Sequence, residues 1–298
     1  MVKIYGFGNA LIDIEILVKE SDLDFINVQK GKMRHITREE KEVFLKKFKK
    51  NIVNEQAGGS IANSLFAASK HDADCHFSSS YGEDENASFF FKNFNNLVHY
   101  SGKSSEKSTG VCLIFITPGG ERSMTSCLDA NEDLSSLCID KKKLSESDIL
   151  IFDSFSICTD GGFETIKKSI QIAKINNLEI CFGISDSTLV KVNEKRLEWL
   201  FEQKLDYVIG NEDEINELKN TISLDAETII TTKGKRGASV NQMHVDAPDI
   251  NPINTNGAGD ALLGVFLACK DEGIKEALQK AVNYATKVCE NYGPRETK

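Results

Sequence analysis

Between Asp148 and Thr232 the chain repeats short apolar runs and longer amphipathic runs, and this repetition constrains the fold more than any other feature. Short apolar runs are typical of buried strands, and the longer runs are typical of helices. The pattern predicts strands at 148–153, 179–184, 206–209 and 227–232, and helices at 161–177, 188–203 and 211–219. Strands and helices that alternate in this way form a parallel sheet with helices on both faces. The sequence therefore predicts an α/β fold.

The rest of the chain is less regular. A capping box at Thr37 and Glu40 begins a helix that is expected to extend to about Asn54. Further predicted helices are 58–70, 85–96, 258–271 and 274–290, and further strands are 3–7, 75–81 and a ribbon near 237–247. The segments 14–36 and 109–128 are β-rich but do not fit the alternation of strands and helices.

Composition excludes several classes of protein. The 298 residues carry a formal net charge of −9, which argues against a nucleic-acid partner. No apolar run approaches the roughly 18 residues that span a bilayer, and Asp13 and Glu15 interrupt the apolar start, so neither a membrane span nor a signal peptide is expected. The eight cysteines form no C-x-x-C pair and are expected to be reduced. We therefore expect a cytoplasmic protein.

An anion site is predicted where a small-residue turn, Asn254 to Asp260, begins an apolar helix. Gly257 and Gly259 lack a Cβ, so backbone N–H groups can point into a shared concavity beside the positive end of the helix dipole. Asp260 places a carboxylate at the same point, where it would suit a proton acceptor for an incoming hydroxyl group. An ordinary glycine-capped helix with an acidic first turn is the alternative interpretation.

The segment also resembles the C-terminal signature of the PfkB (ribokinase-like) family of sugar and nucleoside kinases, Asp-Thr-x-Gly-Ala-Gly-Asp. Asn254 stands in place of the first Asp of this signature. Three further elements occur in family order: Ala57–Ser64 resembles a Gly-Gly-x-x-x-Asn element, Asn211–Glu214 an Asn-x-x-Glu motif, and Thr232–Gly237 a nucleotide loop. Gly120–Met124 is similar to a Gly-Glu-Arg-Thr-Met element of the adenosine-kinase-like branch.

The resemblance implies a ribokinase-like three-layer α/β/α sandwich with a mostly parallel central sheet. Residues 1–298 would form a single domain, and the segments near 12–36 and 109–128 would form a small β lid over the substrate. Five apolar residues of these segments would either line a slot for a base or pack the lid onto the core. They are Ile14, Ile16, Val111, Leu113 and Phe115.

The resemblance also assigns roles to single residues. Asp260 would be the catalytic base, and the N–H groups of Gly257, Ala258 and Gly259 would form the anion hole. The expected substrate-binding residues are Asp13, Gly58, Gly59, Asn63 and Arg122; those expected to bind the nucleotide are Asn211, Thr232, Gly234 and Gly237; and Glu214 is expected to hold Mg²⁺. Taken alone, Asn211 also fits a helix N-cap, Asp13 a surface turn, and Arg122 an exposed turn.

The predicted activity is that of an ATP- and Mg²⁺-dependent kinase for a primary hydroxyl of an adenosine-like ribonucleoside or of a sugar. A carbohydrate kinase for ribose, fructose or a related sugar is the alternative. A non-catalytic ligand sensor is a third possibility, against which the presence of Asp260 argues. In several relatives the first Asp of the signature belongs to a monovalent-cation site, so Asn254 leaves dependence on K⁺ open. Monomer and homodimer both remain open.

Overall fold

The computed structural model describes residues 1–118 and 120–296, and these residues form two β-sheets with helices around them. The strands are β1 Lys3–Phe7, β2 Leu11–Leu17, β3 Met33–His35, β4 Ile52–Ala57, β5 Asp74–Gly82, β6 Val98–Ser105, β7 Gly110–Ile116, β8 Arg122–Cys127, β9 Ile149–Asp153, β10 Glu179–Gly183, β11 Leu205–Asn211, β12 Ala226–Thr232, β13 Ala238–Val240 and β14 Met243–Val245. The α-helices are α1 Asp22–Ile26, α2 Arg38–Phe48, α3 Ser60–Ser69, α4 Glu85–Lys92, α5 Lys141–Ser145, α6 Ser154–Ile157, α7 Asp160–Ile175, α8 Thr188–Val192, α9 Glu194–Phe201, α10 Glu212–Thr221, α11 Ala258–Cys269 and α12 Ile274–Cys289.

The large sheet has nine strands in the order β14-β13-β12-β11-β10-β9-β1-β5-β6. Every neighbouring pair from β12 to β6 is parallel, and β13 and β14 add an antiparallel ribbon at one edge. Strands that are buried on both faces account for the continuous apolar runs in the sequence. The mostly parallel sheet with its helices confirms the predicted fold class.

Two helical layers cover the large sheet. Ile149 and Ile151 of β9 pack in the core on the side of α3, α11 and α12, whereas Leu150 and Phe152 pack in the core on the side of α7, α9 and α10. This division follows from the two-residue period of a strand, which sends successive side chains to opposite faces. The parallel strands also bring their carboxyl ends to one edge of the sheet, where the site described below lies.

The small sheet has five strands in the order β3-β8-β7-β2-β4. Helix α2 covers one of its faces, where Phe44 and Phe48 meet Phe115 edge to face, with centroids 6.0 and 5.8 Å apart. In the register of β2 with β7, Asp13 lies beside Cys112, and both residues line a cavity. The small sheet therefore has an apolar packed face and a face that carries polar groups towards the cavity.

The predictions differ from the structure at two helices and at one strand. The helix that was expected to reach about Asn54 ends at Phe48, and Ile52–Ala57 is instead the edge strand β4 of the small sheet. The predicted helix 188–203 is divided at Asn193, whose side-chain amide donates to the carbonyl of Leu189 and so competes with the helix. Strand β6 was not predicted. Within the described residues no helix is both long and apolar enough to cross a membrane.

Candidate active site

Two cavities meet at the carboxyl edge of the large sheet. The first cavity, of about 340 Å³, lies between this edge and the small sheet, and the second cavity, of about 370 Å³, lies beside α12 and the loop after β14. Asn211, Thr232 and Gly259 line both cavities. A ligand in one cavity can therefore reach a ligand in the other at the N-terminus of α11.

Glycine is favoured for different physical reasons at the two glycine positions that begin α11. Gly257, at the N-cap, has φ +75°, and a Cβ there would come within 2.5 Å of Pro294. At Gly259, an added Cβ would meet no described atom within 4 Å other than those of its chain neighbours and the backbone of its own helix. Because Gly259 lines both cavities, the space above it is left open for a ligand. The first N–H groups of a helix have no partner within the helix, so this space suits an anion.

Asp260 lies in the first turn of α11, next to this open space. Its Oδ1 accepts a hydrogen bond of 2.7 Å from the Ser60 hydroxyl, and its Oδ2 accepts one of 3.1 Å from the Asn63 amide. Burial raises the pKa of the Asp260 carboxyl, and the two donors oppose this shift. The carboxylate is thus held in one orientation and is a stronger proton acceptor than an exposed aspartate.

Two further buried carboxylates face the first cavity. Asp13 accepts a hydrogen bond of 3.2 Å from the Asn256 amide, and Asp153 accepts two bonds of 3.2 Å from the N–H and hydroxyl of Ser156. Burial raises the pKa of each of these carboxyls to about 7. A buried carboxylate with a free oxygen is a strong acceptor for a ligand hydroxyl group.

Asn211 and Glu214 form a capping box at the start of α10. The Asn211 side chain accepts from the Glu214 N–H at 2.9 Å, and Glu214 Oε2 accepts from the Asn211 N–H at 2.8 Å. The N-cap interpretation of Asn211 is therefore correct, and its position between the cavities leaves a ligand role open as well. Burial raises the pKa of the Glu214 carboxyl.

The metal-binding potential of the site is limited. In residues 1–118 and 120–296 no group of three or more His, Cys, Asp and Glu side chains has the arrangement of a metal site. Glu214 lines the first cavity beside Asn211, which lines both cavities. Mg²⁺ keeps several waters and is usually bound by one or two carboxylates together with phosphate oxygens, so a single carboxylate fits its needs.

The structure brings most of the predicted site residues to the two cavities. Asp13, Gly59, Asn63, Asn211, Glu214, Thr232, Gly257, Gly259 and Asp260 line the first, and Ala258, Gly234 and Gly237 join Asn211, Thr232 and Gly259 around the second. Gly58 lies behind Asp13, so close that a Cβ would collide with the carboxylate. It lines neither cavity.

Arg122 also lines neither cavity. Its Nη1 donates to the side-chain oxygen of Asn254, and its Nη2 lies 3.8 Å from the carboxylate of the buried Glu15. The Asn254 oxygen also accepts from the N–H of Asn256 at 2.7 Å, and its amide donates to Glu15 at 3.0 Å. Arg122 therefore connects β8 of the small sheet to the loop that leads into α11.

Sequence reasoning missed four residues of the site. Ser60, Asn256 and Arg295 form hydrogen bonds with predicted residues, and Asp153 lines the same cavity as those predicted residues. Asp153 had a usable signal, because it ends a predicted strand and ligands of α/β sheets bind beyond the carboxyl ends of strands. Arg295 had no such signal. It lies beyond the last helix, and its contact with Asn63 joins positions 232 residues apart.

The apolar slot is built from other residues than those expected. Ile14, Ile16, Val111, Leu113 and Phe115 belong to the packed core and are not among the residues around the first cavity. The interpretation that they pack the small sheet onto its neighbours is the correct one, because Asp13 and Cys112 occupy the alternate positions that face the cavity. The apolar wall of the cavity consists instead of Leu11, Met33, Met124, Leu128, Phe155, Ile209 and Leu263.

A carboxylate beside an open helix N-terminus between two cavities can accept a proton while the helix N–H groups stabilise a transferring phosphoryl group. A family model described as "pfkB family carbohydrate kinase" matches residues 31–298. The chain belongs to this family, whose members are ATP-dependent phosphotransferases acting on hydroxyl groups.

The names of the curated relatives include both a sugar kinase and a nucleoside kinase. The chain is 24% identical to deoxyribokinase of Salmonella typhi, over 76% of this chain and 79% of that protein. It is 26% identical to adenosine kinase 2 of Arabidopsis thaliana, over 95% of this chain and 92% of that protein. Identities this low leave the acceptor undecided.

Solved structures share the fold along the whole chain. An adenosine kinase from Sinorhizobium meliloti has a TM-score of 0.92 at 23% identity, and a probable sugar kinase from Rhizobium etli CFN 42 has 0.93 at 23%; each comparison covers 100% of this chain and 96% of the other. A putative ribokinase II from E. coli, in complex with ATP and Mg²⁺, has a TM-score of 0.79 at 20% identity, covering 99% and 94%.

Proposed function

We propose that this protein transfers the γ-phosphoryl group of ATP to a primary hydroxyl of a ribonucleoside. The observation that carries the proposal is the open space above Gly259, which both cavities share and which lies next to Asp260. The acceptor binds in the first cavity and the nucleotide in the second. The transferred group then lies at the N-terminus of α11, between the two.

In this reaction Asp260 accepts the proton of the acceptor hydroxyl as its oxygen bonds to the γ-phosphorus. The bond from that phosphorus to the β–γ bridging oxygen breaks, and ADP leaves. The N–H groups of Gly257, Ala258 and Gly259 stabilise the charge on the transferring group. Mg²⁺, when bound through Glu214 and water, neutralises phosphate charge. Asn211, Thr232, Gly234 and Gly237 border the nucleotide.

The first cavity favours a nucleoside because it combines carboxylates with an apolar wall. Asp13 and Asn63 line this cavity together with Asp260, and in the proposal they bind the vicinal hydroxyls of a ribose ring while the 5′-hydroxyl faces Asp260. Met33 and Met124 are neighbours in the register of β3 with β8, and Phe155 also lines the cavity. Thioether and aromatic groups pack well against a purine ring.

A sugar kinase is the second candidate, and Asp153 is the observation that favours it. A third buried carboxylate, together with His35 and Ser126 in the lining of the cavity, adds hydrogen-bonding capacity that a free sugar needs. The name of the Salmonella typhi relative, deoxyribokinase, is consistent with this alternative.

The small sheet acts as a lid in this proposal, within a single domain that comprises the described chain. Strands β2, β3, β7 and β8 come from the two predicted lid segments, and β4 is an additional strand of the same sheet. Asp13 reaches the acceptor from this sheet. Closure over the acceptor would exclude water and limit hydrolysis of ATP.

The test is an ATP-consumption assay with adenosine, other ribonucleosides, ribose and fructose as acceptors. We expect a ribonucleoside to give the highest kcat/KM and ATP hydrolysis without acceptor to be slow. A 2′-deoxynucleoside should be a poor acceptor, because Asp13 loses a hydroxyl partner. If ribose or fructose is phosphorylated and nucleosides are inert, the sugar-kinase alternative is correct. If no acceptor stimulates ATP consumption, both candidates are wrong.

A further inference from the structure

Residues 291–296, which we call the C-terminal tail, run back across the site after α12. Gly293 lies against the side chain of Gln56 in the small sheet, and Pro294 packs against Gly257 at the N-terminus of α11. The tail thus contacts both the small sheet and the anion-binding turn. It lies directly behind the residues that line the site, although none of its own residues lines either cavity.

Arg295 carries this tail into the hydrogen-bond network of Asp260. The side chain is only 4% exposed, its Nε donates to Asn63 Oδ1 at 3.0 Å, and an Nη nitrogen lies 3.5 Å from the Gly58 carbonyl oxygen. The amide nitrogen of Asn63 in turn donates to Asp260. An amide oxygen that accepts from a guanidinium cannot exchange places with its nitrogen at low cost. Arg295 therefore fixes which end of Asn63 faces Asp260.

The charge of Arg295 also acts on the buried carboxylates. Asp260 shares its surroundings with the negative groups Asp13, Asp153 and Glu214, and the positive charge of Arg295 opposes the rise in the pKa of both Asp260 and Asp13. Burial lowers the pKa of the guanidinium itself to about 10, so it remains protonated at neutral pH.

The surroundings of the guanidinium make its charge costly to bury. Its carbon lies 5.2 Å from the ring centroids of Phe66 and Phe94 and 5.8 Å from that of Phe90. Its buried Nη1 has no hydrogen-bond partner among the described residues. Burying a charge beside rings with an unpaired donor is costly unless nearby opposite charges offset the cost. Asp13 and Asp260 provide that offset.

We propose that Arg295 is a positioning residue of the kinase, which holds the Asn63 amide against Asp260 and supplies the positive charge that keeps this base ionised. The inference rests on the proposed function for its catalytic consequence. It assigns the C-terminal tail to the acceptor half of the site. Arg295 acts through Asn63 and through its charge, and it takes no part in the transfer of the proton.

The test compares Arg295→Gln, which removes the charge, with Arg295→Lys, which keeps it. We expect Arg295→Gln to lower kcat at pH 7 by about 10- to 100-fold, the range for a misplaced catalytic group, with little change in the KM for ATP. Loss of the positive charge raises the pKa of Asp260, so the acidic limb of the kcat profile should move to higher pH. Arg295→Lys should restore the position of this limb.

The control is Arg196→Gln, because Arg196 binds Asp160 and the Ile157 carbonyl on the opposite helical layer. It should leave the pH profile unchanged. A purely structural role for Arg295 would lower thermal stability and the active fraction of both Arg295 variants without moving the limb. That result, or a wild-type kcat in Arg295→Gln, would overturn the proposal.

A second readout does not depend on activity. Carbon-13 NMR of the Asp260 carboxyl carbon, assigned by its loss in Asp260→Asn, follows its titration in the wild type and in Arg295→Gln. We expect Asp260 to titrate at higher pH in the variant. An inactive wild type in which this shift is observed would reject the proposed kinase function but keep the role of Arg295. An unchanged titration would reject that role.

Discussion

The two cavities of the site are built in different ways. The second cavity takes its lining from residues 211–289 and relies on loop glycines, and its acidic residue Asp249 is exposed. The first cavity draws on both sheets, from Asn9 to Leu263, and four carboxylates line it, of which Asp13, Asp153 and Glu214 are buried. The second cavity is assembled within the C-terminal part of the chain, whereas the first needs side chains that only the whole fold brings together. In the proposed function the second cavity holds the nucleotide and the first holds the acceptor. Changes to the first cavity should therefore affect chemistry and pH dependence, and changes to the second should affect nucleotide binding.

Asp260→Asn is expected to give the largest difference between an effect on chemistry, in the first cavity, and an effect on ATP binding, in the second. We expect kcat to fall by about 10²- to 10⁴-fold, the range for loss of a general base. ATP affinity should stay the same or improve, because a negative group leaves the anion site. Steady-state kinetics and calorimetric ATP binding measure the two quantities. Asp271→Asn, at an exposed position beyond α11, is the control and should behave as wild type. Near-wild-type turnover in Asp260→Asn would remove Asp260 from the mechanism.

Gly259→Val tests the point where the cavities meet. Its side chain would fill the open space, so we expect a folded protein whose activity is lower by about 10²-fold or more, as for loss of anion stabilisation. Gly264→Ala is the matched variant in the same helix. A Cβ at Gly264 would collide with the backbone of Ser64, so this variant should lose thermal stability. Circular dichroism and kinetics together distinguish the two. If Gly259→Val unfolds, its glycine is required by the fold and not by a ligand.

Arg122→Ala tests whether the contact between the small sheet and the turn before α11 contributes to activity. Loss of the contact with Asn254 should lower kcat/KM of the coupled reaction by about tenfold. This factor corresponds to the loss of one hydrogen bond to a charged group. ATP binding should change less, and ATP hydrolysis without acceptor should rise relative to the coupled reaction. Lys30→Ala, which breaks an exposed ion pair with Glu20, serves as the control. An unchanged kcat/KM in Arg122→Ala would place this residue outside the mechanism.

The smallest expected effect is that of Asp153→Asn on the pH dependence of the free energy of unfolding. Burial raises the pKa of Asp153 to about 7, so the folded state binds this proton more tightly than the unfolded state. Its contribution to stability is therefore present at low pH and is lost as pH rises through about 7. Between pH 5 and pH 8 the free energy of unfolding of Asp153→Asn should fall by roughly 1–2 kcal/mol less than that of the wild type. Urea unfolding measures this difference.

The control for the pH experiment is Asp249→Asn, which removes an exposed carboxylate from the second cavity. Its pH dependence should match that of the wild type. If Asp153→Asn and Asp249→Asn give the same curve as the wild type, then Asp153 is not a buried carboxylate of unusual affinity for protons, and the contrast between the cavities is weaker than described.

Sequence alone determined most strands of the large sheet and the start of α11, where we propose the anion site. Strand and helix periodicities and small-residue turns are local signals, and β1, β5 and β9 to β12 lie within two residues of their predicted bounds. Local signals also identified the capping box at Thr37 and the N-cap at Asn211, because the residues involved are three positions apart. The same reasoning failed at β4, since an edge strand of a small sheet is defined by its partner β2 and not by its own period.

Tertiary structure alone decided what surrounds Asp260. Ser60, Asn63 and Arg295 converge on it from 35 to 200 positions away, and no pattern within the sequence marks that convergence. It also decided which face of the small sheet meets the cavity, so that Met33 and Met124 line it while Phe115 is packed under α2. Hydrogen bonding, desolvation and charge act over a few ångströms in space, and the chain folds positions that are far apart in sequence into that range.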